Sequence, residues 1–305
     1  MCCLFGIMDN NGSLTGKQKT RLIRALAAES EVRGTDAAGI AYNSGGRLQI
    51  CKGPGPARKH RFFVPGDARV VMGHTRMTTQ GDAKYPQNNH PFAGKVGRLH
   101  FALAHNGVLY NDKSLRKSKK LPQTNIQTDS YVAVQLLEQQ GALTPDSLSK
   151  MAETVEGSFV FTVLDHKDRL YLVKGDNPLT IWHYPRLGLY IYASTLAILH
   201  QAVNRTWLAG EPFREVPVSD GEILRWDKHG LTTAGQFMMT YPVYRPWHPC
   251  ARSYQPDRSY LRTLKNIASA LGYTPEDIDE LLEAGYSTDE IEEALYGIPG
   301  WQEYR

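Results

Sequence analysis

The sequence predicts an α+β fold, in which strands and helices are grouped in blocks along the chain. Short apolar runs of strand length cluster in two regions, and segments with helical periodicity lie before, between and after them. Strict alternation of the two would instead favour a doubly wound parallel sheet. With 305 residues, 41% of them hydrophobic, the chain can form one large domain with a small appendage.

The first region combines a single long helix with several strands. Residues 2–8 form an apolar run that stops at Asp9-Asn10-Asn11-Gly12, a turn sequence. Thr15 is a candidate N-cap for a helix in which apolar residues recur at helical spacing from Leu22 to Ala27. Further strands are predicted over 39–42, 48–52, 68–73 and 101–104.

The second region begins with two predicted helices. Thr128–Gln140 carries apolar residues at helical spacing, and Leu148–Val155 follows it. After these helices, strands are predicted over 159–164, 170–174, 179–184, 189–193 and 222–226.

The amino-acid composition of the chain changes after residue 235. Three prolines fall within the eight residues 242–249, so 236–259 is predicted as a linker or wrapping arm. Beyond it, three amphipathic segments predict an acidic three-helix module over 260–305, namely Ser259–Leu271, Thr274–Ala284 and Ser287–Tyr296. The predicted division is therefore a domain over 2–235, the linker and the module.

Composition narrows the class of protein. No run of eighteen apolar residues predicts a membrane span, and the first residues lack the pattern of a secretory signal. Four scattered cysteines do not suggest a disulfide framework or a zinc site. We therefore expect a cytoplasmic protein that needs no metal and no cofactor.

The charge is distributed unevenly along the chain. Residues 273–305 contain ten acidic side chains and one basic one, so the other 272 residues carry 34 Lys and Arg against 21 Asp and Glu, a net of +13. A basic surface can attract nucleic acid, but no nucleic-acid module accompanies it, and nucleic acid is an unlikely partner. A solvated surface that meets an acidic partner, or the chain's own acidic segment, is the favoured interpretation.

Cys2 is the first candidate for chemistry. Removal of Met1 would place a thiol and a free α-amine on one residue, and the amine can then take the thiol proton. An α-amine titrates near pH 7.7–8.0, which leaves a fraction neutral at physiological pH. The position of Cys2 alone favours the simpler interpretation, a buried cysteine at the start of a strand.

Six motifs together resemble the class II glutamine amidotransferases, in order and with suitable gaps. The family includes the glutaminase domains of glucosamine-6-phosphate synthase and glutamine phosphoribosylpyrophosphate amidotransferase. The motifs are Met1-Cys2-Cys3-Leu4-Phe5-Gly6, Arg33-Gly34-Thr35-Asp36-Ala37-Ala38-Gly39-Ile40, Gly73-His74-Thr75-Arg76-Met77-Thr78-Thr79, Asn89-His90-Pro91-Phe92, His105-Asn106-Gly107 and Asp129-Ser130-Tyr131. Two later family-like pieces, Glu156–Phe159 and Ala193–Thr195, extend the likeness to about residue 230.

This resemblance implies a four-layer αββα N-terminal-nucleophile hydrolase and a set of roles. Cys2 would attack the glutamine amide, and the Asn106 side chain with the Gly107 N–H would bind the oxyanion. Arg76 would hold the substrate α-carboxylate and Asp129 its α-ammonium, with Thr79 and Gln80 lining the pocket. Arg33 and Asp36 would support the nucleophile from nearby.

Simpler roles are open for single residues. Arg76 is compatible with a structural ion pair, and Asp129 with the N-cap of the helix that follows it. His74, His90 and His105 have no standard metal spacing, and the corresponding family histidines are structural.

The sequence departs from the family pattern at several positions. Cys3 stands where the family usually has Gly, and strand alternation predicts that it packs rather than reacts. Met77, Gln80 and Tyr131 also differ from the usual residues, which would favour a larger γ-glutamyl amide as substrate. About 70 residues follow position 235, too few for a family synthase domain.

Three functions follow from these observations. The first is a glutaminase subunit that binds glutamine and passes ammonia to a separate acceptor synthase. The second is a stand-alone hydrolase of larger γ-glutamyl amides. The third, a non-catalytic binding protein on the same fold, is disfavoured because the nucleophile, oxyanion asparagine and carboxylate-binding arginine are all present.

Overall fold

The structure is a computed structural model that describes residues 2–239, 258–270 and 273–283, together with the single residues 288, 291 and 295. The chain divides into two compact units, Met1–Tyr241 and Pro242–Arg305. Most of the predicted linker and the third predicted helix of the module lie outside the described residues. No described helix is long and apolar enough to cross a membrane.

The first unit contains two antiparallel sheets. A seven-stranded sheet has the order β11-β9-β10-β1-β4-β2-β3, and a six-stranded sheet has the order β13-β12-β8-β7-β6-β5. The strands are β1 (Cys3–Asp9), β2 (Ala37–Ser44), β3 (Arg47–Pro54), β4 (Val70–Arg76), β5 (Phe92–Val96), β6 (Leu99–Leu109), β7 (Gly157–Asp165), β8 (Leu170–Lys174), β9 (Thr180–Tyr184), β10 (Leu189–Ala193), β11 (Arg214–Val216), β12 (Glu222–Asp227) and β13 (Gly230–Gln236).

Five helices belong to the first unit and two described helices to the second. They are α1 (Gly16–Glu29), α2 (Asp112–Ser118), α3 (Tyr131–Gln140), α4 (Pro145–Thr154), α5 (Leu196–Asn204), α6 (Arg258–Ala270) and α7 (Pro275–Glu283). In the second unit, an apolar cluster includes Leu264 on α6 and Ile278 on α7.

Three apolar clusters stack the first unit into four layers. One lies between α1, α5 and the seven-stranded sheet. A second fills the space between the two sheets, and a third lies between the six-stranded sheet and α3 and α4. This is the αββα sandwich that the resemblance implied.

The layers follow from the alternation of side chains along each strand. On β1, Phe5 and Ile7 face α1, whereas Leu4 and Met8 face the other sheet. Because both faces of the central strands are covered, their sequences read as continuous apolar runs rather than as alternating patterns.

The turn between β1 and α1 is held by charge as well as by a cap. Thr15 and Gln18 form a capping box at the start of α1, as the sequence predicted for Thr15. Behind it, the fully buried Lys19 ammonium lies 3.1 Å from the fully buried Asp9 carboxylate. Asp9 also accepts the backbone N–H groups of Ser13 and Leu14.

The predicted strands are present with shifted ends. The helices predicted over Ser259–Leu271 and Thr274–Ala284 are also present, as α6 and α7. The helix predicted over Thr128–Gln140 begins at Tyr131. The helix predicted from Leu148 begins earlier, at Pro145, because Thr144 caps it and proline suits the first helical position. The sequence analysis did not identify α2, α5, β5, β11 or β13, which are short or lie beside turns.

Candidate active site

Strand alternation brings Cys2, Arg76 and Asn106 to one end of the space between the sheets. β1 and β4 are antiparallel, with Cys3 opposite Thr75, so the start of β1 lies beside the end of β4. Leu4 and Met72 face the inter-sheet core. Cys2 is two residues from Leu4 and Arg76 is four residues from Met72, so strand alternation directs both to the same side. From the other sheet, Asn106 has the parity of Ala104, which faces the same core.

The Cys2 thiol lies in a partly exposed position beside the end of β4. Its S–H donates to the Met77 carbonyl at 3.5 Å, and the buried Arg33 guanidinium donates through Nε to the Cys2 carbonyl at 3.0 Å. Arg33 therefore contacts the backbone of Cys2, which fixes the chain that carries the thiol.

Electrostatics keep this thiol protonated with Met1 in place. Burial raises the pKa of Cys2 above its ordinary value, and the nearby Asp129 carboxylate adds to the rise. The positive charge of the N-terminal amine, the Met77 hydrogen bond and the positive charge of Arg76 lower the pKa, but burial outweighs them. A nucleophilic Cys2 consequently needs a base.

Cys3 has a different environment, as alternation predicted. It is fully buried and belongs to the core beneath α1. Its sulfur donates to Ser30 Oγ at 3.3 Å, so its side chain belongs to the packing of the helix layer.

Asn106 and Gly107 lie near the end of β6, opposite Val160 and Phe159 of β7. The Asn106 side chain is fully buried. Its Nδ2 donates to Ser194 Oγ at a long 3.4 Å, and its Oδ1 has no partner among the described residues. A buried amide with unused hydrogen-bonding capacity is suited to a ligand.

Gly107 has a conformation that other residues rarely adopt. Its φ is +139°, and a Cβ at this position would lie 1.9 Å from the Ser158 carbonyl oxygen. Only glycine fits here, so the backbone geometry accounts for the residue that follows Asn106.

Ser194 joins the two sides of the site. Its hydroxyl accepts the Leu4 N–H at 2.9 Å as well as the Asn106 amide, and its own N–H donates to the Leu4 carbonyl at 2.9 Å. The strand that carries the nucleophile and the candidate oxyanion donor are thereby held in one hydrogen-bonded unit.

Arg76 is almost completely buried, and protein oxygens use part of its guanidinium. Nη1 donates to Asn89 Oδ1 at 2.7 Å, and Nη2 donates to the Gln80 and Gly81 carbonyls at 2.6 and 2.8 Å. Since a guanidinium has five N–H donors, two remain for a ligand as far as the described residues show. Arg76 has no carboxylate at ion-pair distance among those residues.

Asp129 is buried at the entrance to α3. Its Oδ2 accepts the Leu109 N–H at 2.7 Å, and its Oδ1 lies 3.3 Å from Ser130 Oγ. The N-cap position of α3 belongs to Ser130, not to Asp129. The helix-capping interpretation of Asp129 is therefore wrong.

The other predicted site residues lie in the segment that follows β4. Thr79 is exposed, and Gln80 Nε2 lies 3.4 Å from the buried Asp112 carboxylate. Asp36 accepts the Thr78 N–H at 2.7 Å, and thus ties this segment to the turn before β2. Gly34 approaches the same segment, because a Cβ there would lie 2.4 Å from the Arg76 carbonyl carbon.

The three histidines of the motifs are all buried. The His74 and His90 rings lie 4.1 Å apart, and His74 Nε2 is 2.9 Å from the His105 carbonyl. Burial lowers the pKa of His74 to about 3, and burial also lowers the pKa values of His90 and His105. These rings are neutral packing elements near pH 7. No described group of three His, Cys, Asp or Glu side chains has a metal-binding arrangement.

The sequence analysis missed several residues of this site. Asn89 holds Arg76, Asp112 binds Gln80, and Asn177 donates to the Asn106 carbonyl at 3.0 Å. Asn89 and Ser194 stood inside quoted motifs, which was the available signal. Asp112 and Asn177 had none, because only the fold brings them to the site.

Comparison with known proteins agrees with this fold. Residues 74–201 match the family model of a glutamine amidotransferase domain. The glutamine–fructose-6-phosphate aminotransferase (isomerizing) of Staphylococcus epidermidis RP62A is 32% identical over 214 residues, which cover 67% of this chain and 34% of that protein. The enzyme of the same name from Staphylococcus aureus Mu50 is 32% identical over 191 residues, covering 59% of this chain and 30% of that protein.

Two solved structures share the fold. Glutamine phosphoribosylpyrophosphate amidotransferase from B. subtilis, complexed with ADP and GMP, matches 78% of this chain and 50% of that chain with a TM-score of 0.62 and 22% identity. A structure described as the allosteric regulatory enzyme of purine biosynthesis matches 78% of this chain and 49% of its own, with a TM-score of 0.63 and 22% identity.

The two sheets and the helices that cover them form the fold that these amidotransferase structures share. More specifically, the chain carries a class II glutamine amidotransferase domain. It spans about a third of the length of the curated relatives that it matches.

Proposed function

We propose that this chain hydrolyses the side-chain amide of glutamine through a γ-glutamyl thioester on Cys2 and releases ammonia and glutamate. The observation that carries the proposal is the hydrogen-bonded unit around Ser194. It holds the nucleophile strand and the Asn106 amide against each other across the two sheets.

The oxyanion of the tetrahedral intermediate needs donors that are already in place. Asn106 Nδ2 has a second N–H beyond its long bond to Ser194, and the Gly107 N–H belongs to the same strand end. A preorganised donor of this kind stabilises such a transition state by roughly 3 kcal/mol. Collapse of the intermediate expels ammonia, and water then hydrolyses the thioester.

The base in this proposal is the α-amine of Cys2 after removal of Met1. The raised pKa of the thiol means that it carries its proton near pH 7. An α-amine with a pKa of about 7.7–8.0 is partly neutral there and can accept that proton. Turnover should therefore increase as the pH rises through this range.

Arg76 and Asp129 supply opposite charges for the two ends of the glutamine backbone. The two unused N–H donors of Arg76 suit the α-carboxylate, and the buried Asp129 carboxylate suits the α-ammonium. Both charges lie close enough to Cys2 to influence its pKa. Thr79 and Gln80 would contribute to the pocket, and Arg33 and Asp36 would hold its walls.

Ammonia would pass to a separate acceptor synthase in a cytoplasmic setting. The domain over 2–235, the linker and the acidic module are proposed to divide these tasks, with the module as the docking part. Co-purification of the full chain with its partner, followed by assay of glutamine-dependent amination, tests this extension.

The decisive experiment compares Cys2→Ala with Cys3→Ala. We expect Cys2→Ala to abolish release of ammonia from glutamine, whereas Cys3→Ala should retain kcat within about twofold because its side chain only packs. Intact-mass measurement should show that the active protein lacks Met1.

Full activity of Cys2→Ala, or full activity with Met1 retained, would remove the basis of the mechanism. Turnover of larger γ-glutamyl amides without turnover of glutamine would instead assign the stand-alone hydrolase.

A further inference from the structure

His105, Ser130 and Asp129 form a row of buried polar side chains beside the proposed glutamine site. His105 Nδ1 lies 2.8 Å from Ser130 Oγ, and Ser130 Oγ lies 3.3 Å from Asp129 Oδ1. At the other side of the ring, His105 Nε2 lies 3.3 Å from the Ser158 carbonyl. All three side chains are less than 5% exposed.

The Ser130 hydroxyl does not bond to the helix that follows it. Ser130 directly precedes α3 and its backbone is already helical, with φ −56° and ψ −28°, whereas a capping serine usually has an extended backbone. Here it makes no side-chain cap hydrogen bond. Its hydroxyl turns to His105 instead.

The number of available protons determines the direction of each hydrogen bond in this row. A carbonyl oxygen only accepts, so the contact with Ser158 requires that His105 Nε2 carries the ring proton. In a neutral ring, Nδ1 is then an acceptor, and Ser130 must donate its single proton to it. That proton cannot also serve Asp129 Oδ1.

We propose that His105 and Ser130 are positioning residues that keep Asp129 Oδ1 available for the α-ammonium of glutamine. This inference rests on the proposed function of Asp129 as the ammonium partner. While His105 is neutral, the Ser130 proton points away from Asp129, and the Leu109 N–H occupies only the other oxygen. The substrate ammonium therefore meets an oxygen with free lone pairs.

Protonation of His105 reverses the direction of the hydrogen bonds in this row. Nδ1 then becomes a donor to Ser130 Oγ, and the hydroxyl proton turns to Asp129 Oδ1, where it competes with the substrate ammonium. Glutamine binding therefore weakens when His105 takes up a proton.

The surroundings of His105 favour the neutral state near pH 7. Burial is the largest influence and lowers its pKa, while the charges of Asp129 and Asp176 and the Ser158 hydrogen bond raise it. From β4 and from the segment before β5, His74 and His90 face the same region and are themselves buried. Phe161 stacks on the ring with centroids 4.6 Å apart.

The tautomer can be observed directly in the full chain. In protein labelled with ¹⁵N-histidine, NMR at pH 7.5 should show His105 with a protonated Nε2 and an unprotonated Nδ1, with His105→Gln used to assign the signals. A ring protonated at Nδ1 overturns the proposal. Because this measurement needs no substrate, it decides the hydrogen-bond assignment even if glutamine is not the substrate.

The effect on binding is tested by calorimetry with glutamine in a Cys2→Ala background, which prevents turnover. The Kd should rise at least about fivefold between pH 7.5 and the pH at which the His105 NMR signals show a protonated ring. Ser130→Ala should abolish this rise, and Ser130→Thr should restore it.

An acid-dependent rise that persists in Ser130→Ala overturns the proposal. Absence of glutamine binding in all variants at pH 7.5 rejects the proposed function itself.

Discussion

Gly107 illustrates how a single backbone position constrains the proposed site. It combines a positive φ with a Cβ position 1.9 Å from the Ser158 carbonyl oxygen. The Ser158 carbonyl also accepts the His105 ring proton, so displacement of this oxygen would disturb both β7 and the row that ends at Asp129.

We predict that Gly107→Ala lowers the free energy of unfolding by about 3 kcal/mol and removes glutaminase activity, because both the strained φ and the collision oppose a side chain. Chemical denaturation and an ammonia assay provide the measurements. Gly97→Ala is the matched control, since its φ is +56° but nothing lies within 4 Å of the added Cβ. It should cost about 1 kcal/mol and retain activity. Equal effects of the two substitutions would show that the collision is unimportant.

At the scale of elements, the junction between β1 and α1 depends on a buried charge pair. Lys19 donates to the Gly66 and Ala68 carbonyls at 2.8 and 2.7 Å in addition to its contact with Asp9. The ammonium thus connects α1 to β1 and to the segment before β4. Cys2 and Arg76 lie at the opposite ends of these two strands.

Lys19→Met should lower the free energy of unfolding by about 3–5 kcal/mol, because Asp9 would remain buried without a positive charge. The double variant with Asp9→Asn should recover part of this loss in a double-mutant cycle. Lys150→Met serves as the control, since its partner Asp146 and the lysine itself are mostly exposed, and it should cost well under 1 kcal/mol. Additive losses in the cycle would argue against a coupled pair.

At the scale of the whole molecule, three neutral buried histidines make stability depend on pH. Their pKa values are lowered in the folded state, to about 3 for His74, whereas an unfolded histidine has a pKa near 6.5. The unfolded state therefore binds more protons below about pH 6.5, and the free energy of unfolding falls with falling pH.

We predict that each of these histidines adds to the slope below about pH 6, and that the contribution of His74 rises toward about 1.4 kcal/mol per pH unit between about pH 6 and 4. Urea unfolding at a series of pH values measures it. His90→Phe should reduce the slope by the contribution of one bound proton. His90 is the suitable residue because it lies among the His74 and Phe92 rings without a hydrogen-bond partner in the described part of the chain. An unchanged slope would mean that His90 is not neutral in the folded protein.

The division into two units leads to a second prediction at this scale. Every proposed site residue lies within Met1–Tyr241, so we expect a fragment of residues 1–241 to hydrolyse glutamine with kcat within about threefold of the full chain. A kinetic comparison of the two purified proteins tests this. Loss of activity in a fragment that circular dichroism shows to be folded would assign the acidic module a role in the glutaminase itself.

The fold class, most strand positions and the proposed chemical residues could be predicted from the sequence. These were readable because apolar runs, caps and motif residues are local features of the chain. The ends of α3 and α4 were less certain, since Ser130 does not cap as its residue type suggests and Thr144-Pro145 extends α4 backward.

How those residues come together depends on the tertiary structure. Antiparallel pairing of β1 with β4, and the facing parity of Asn106 on the second sheet, bring together groups that are more than 70 residues apart in the chain. The roles of Ser194, Asn89 and Asp112 follow from hydrogen bonds to residues 88, 13 and 32 positions away in the chain. The same packing places the Ser130 hydroxyl between His105 and Asp129. Such relationships depend on register and layer packing, because each strand has two faces and its sequence alone does not specify its partner.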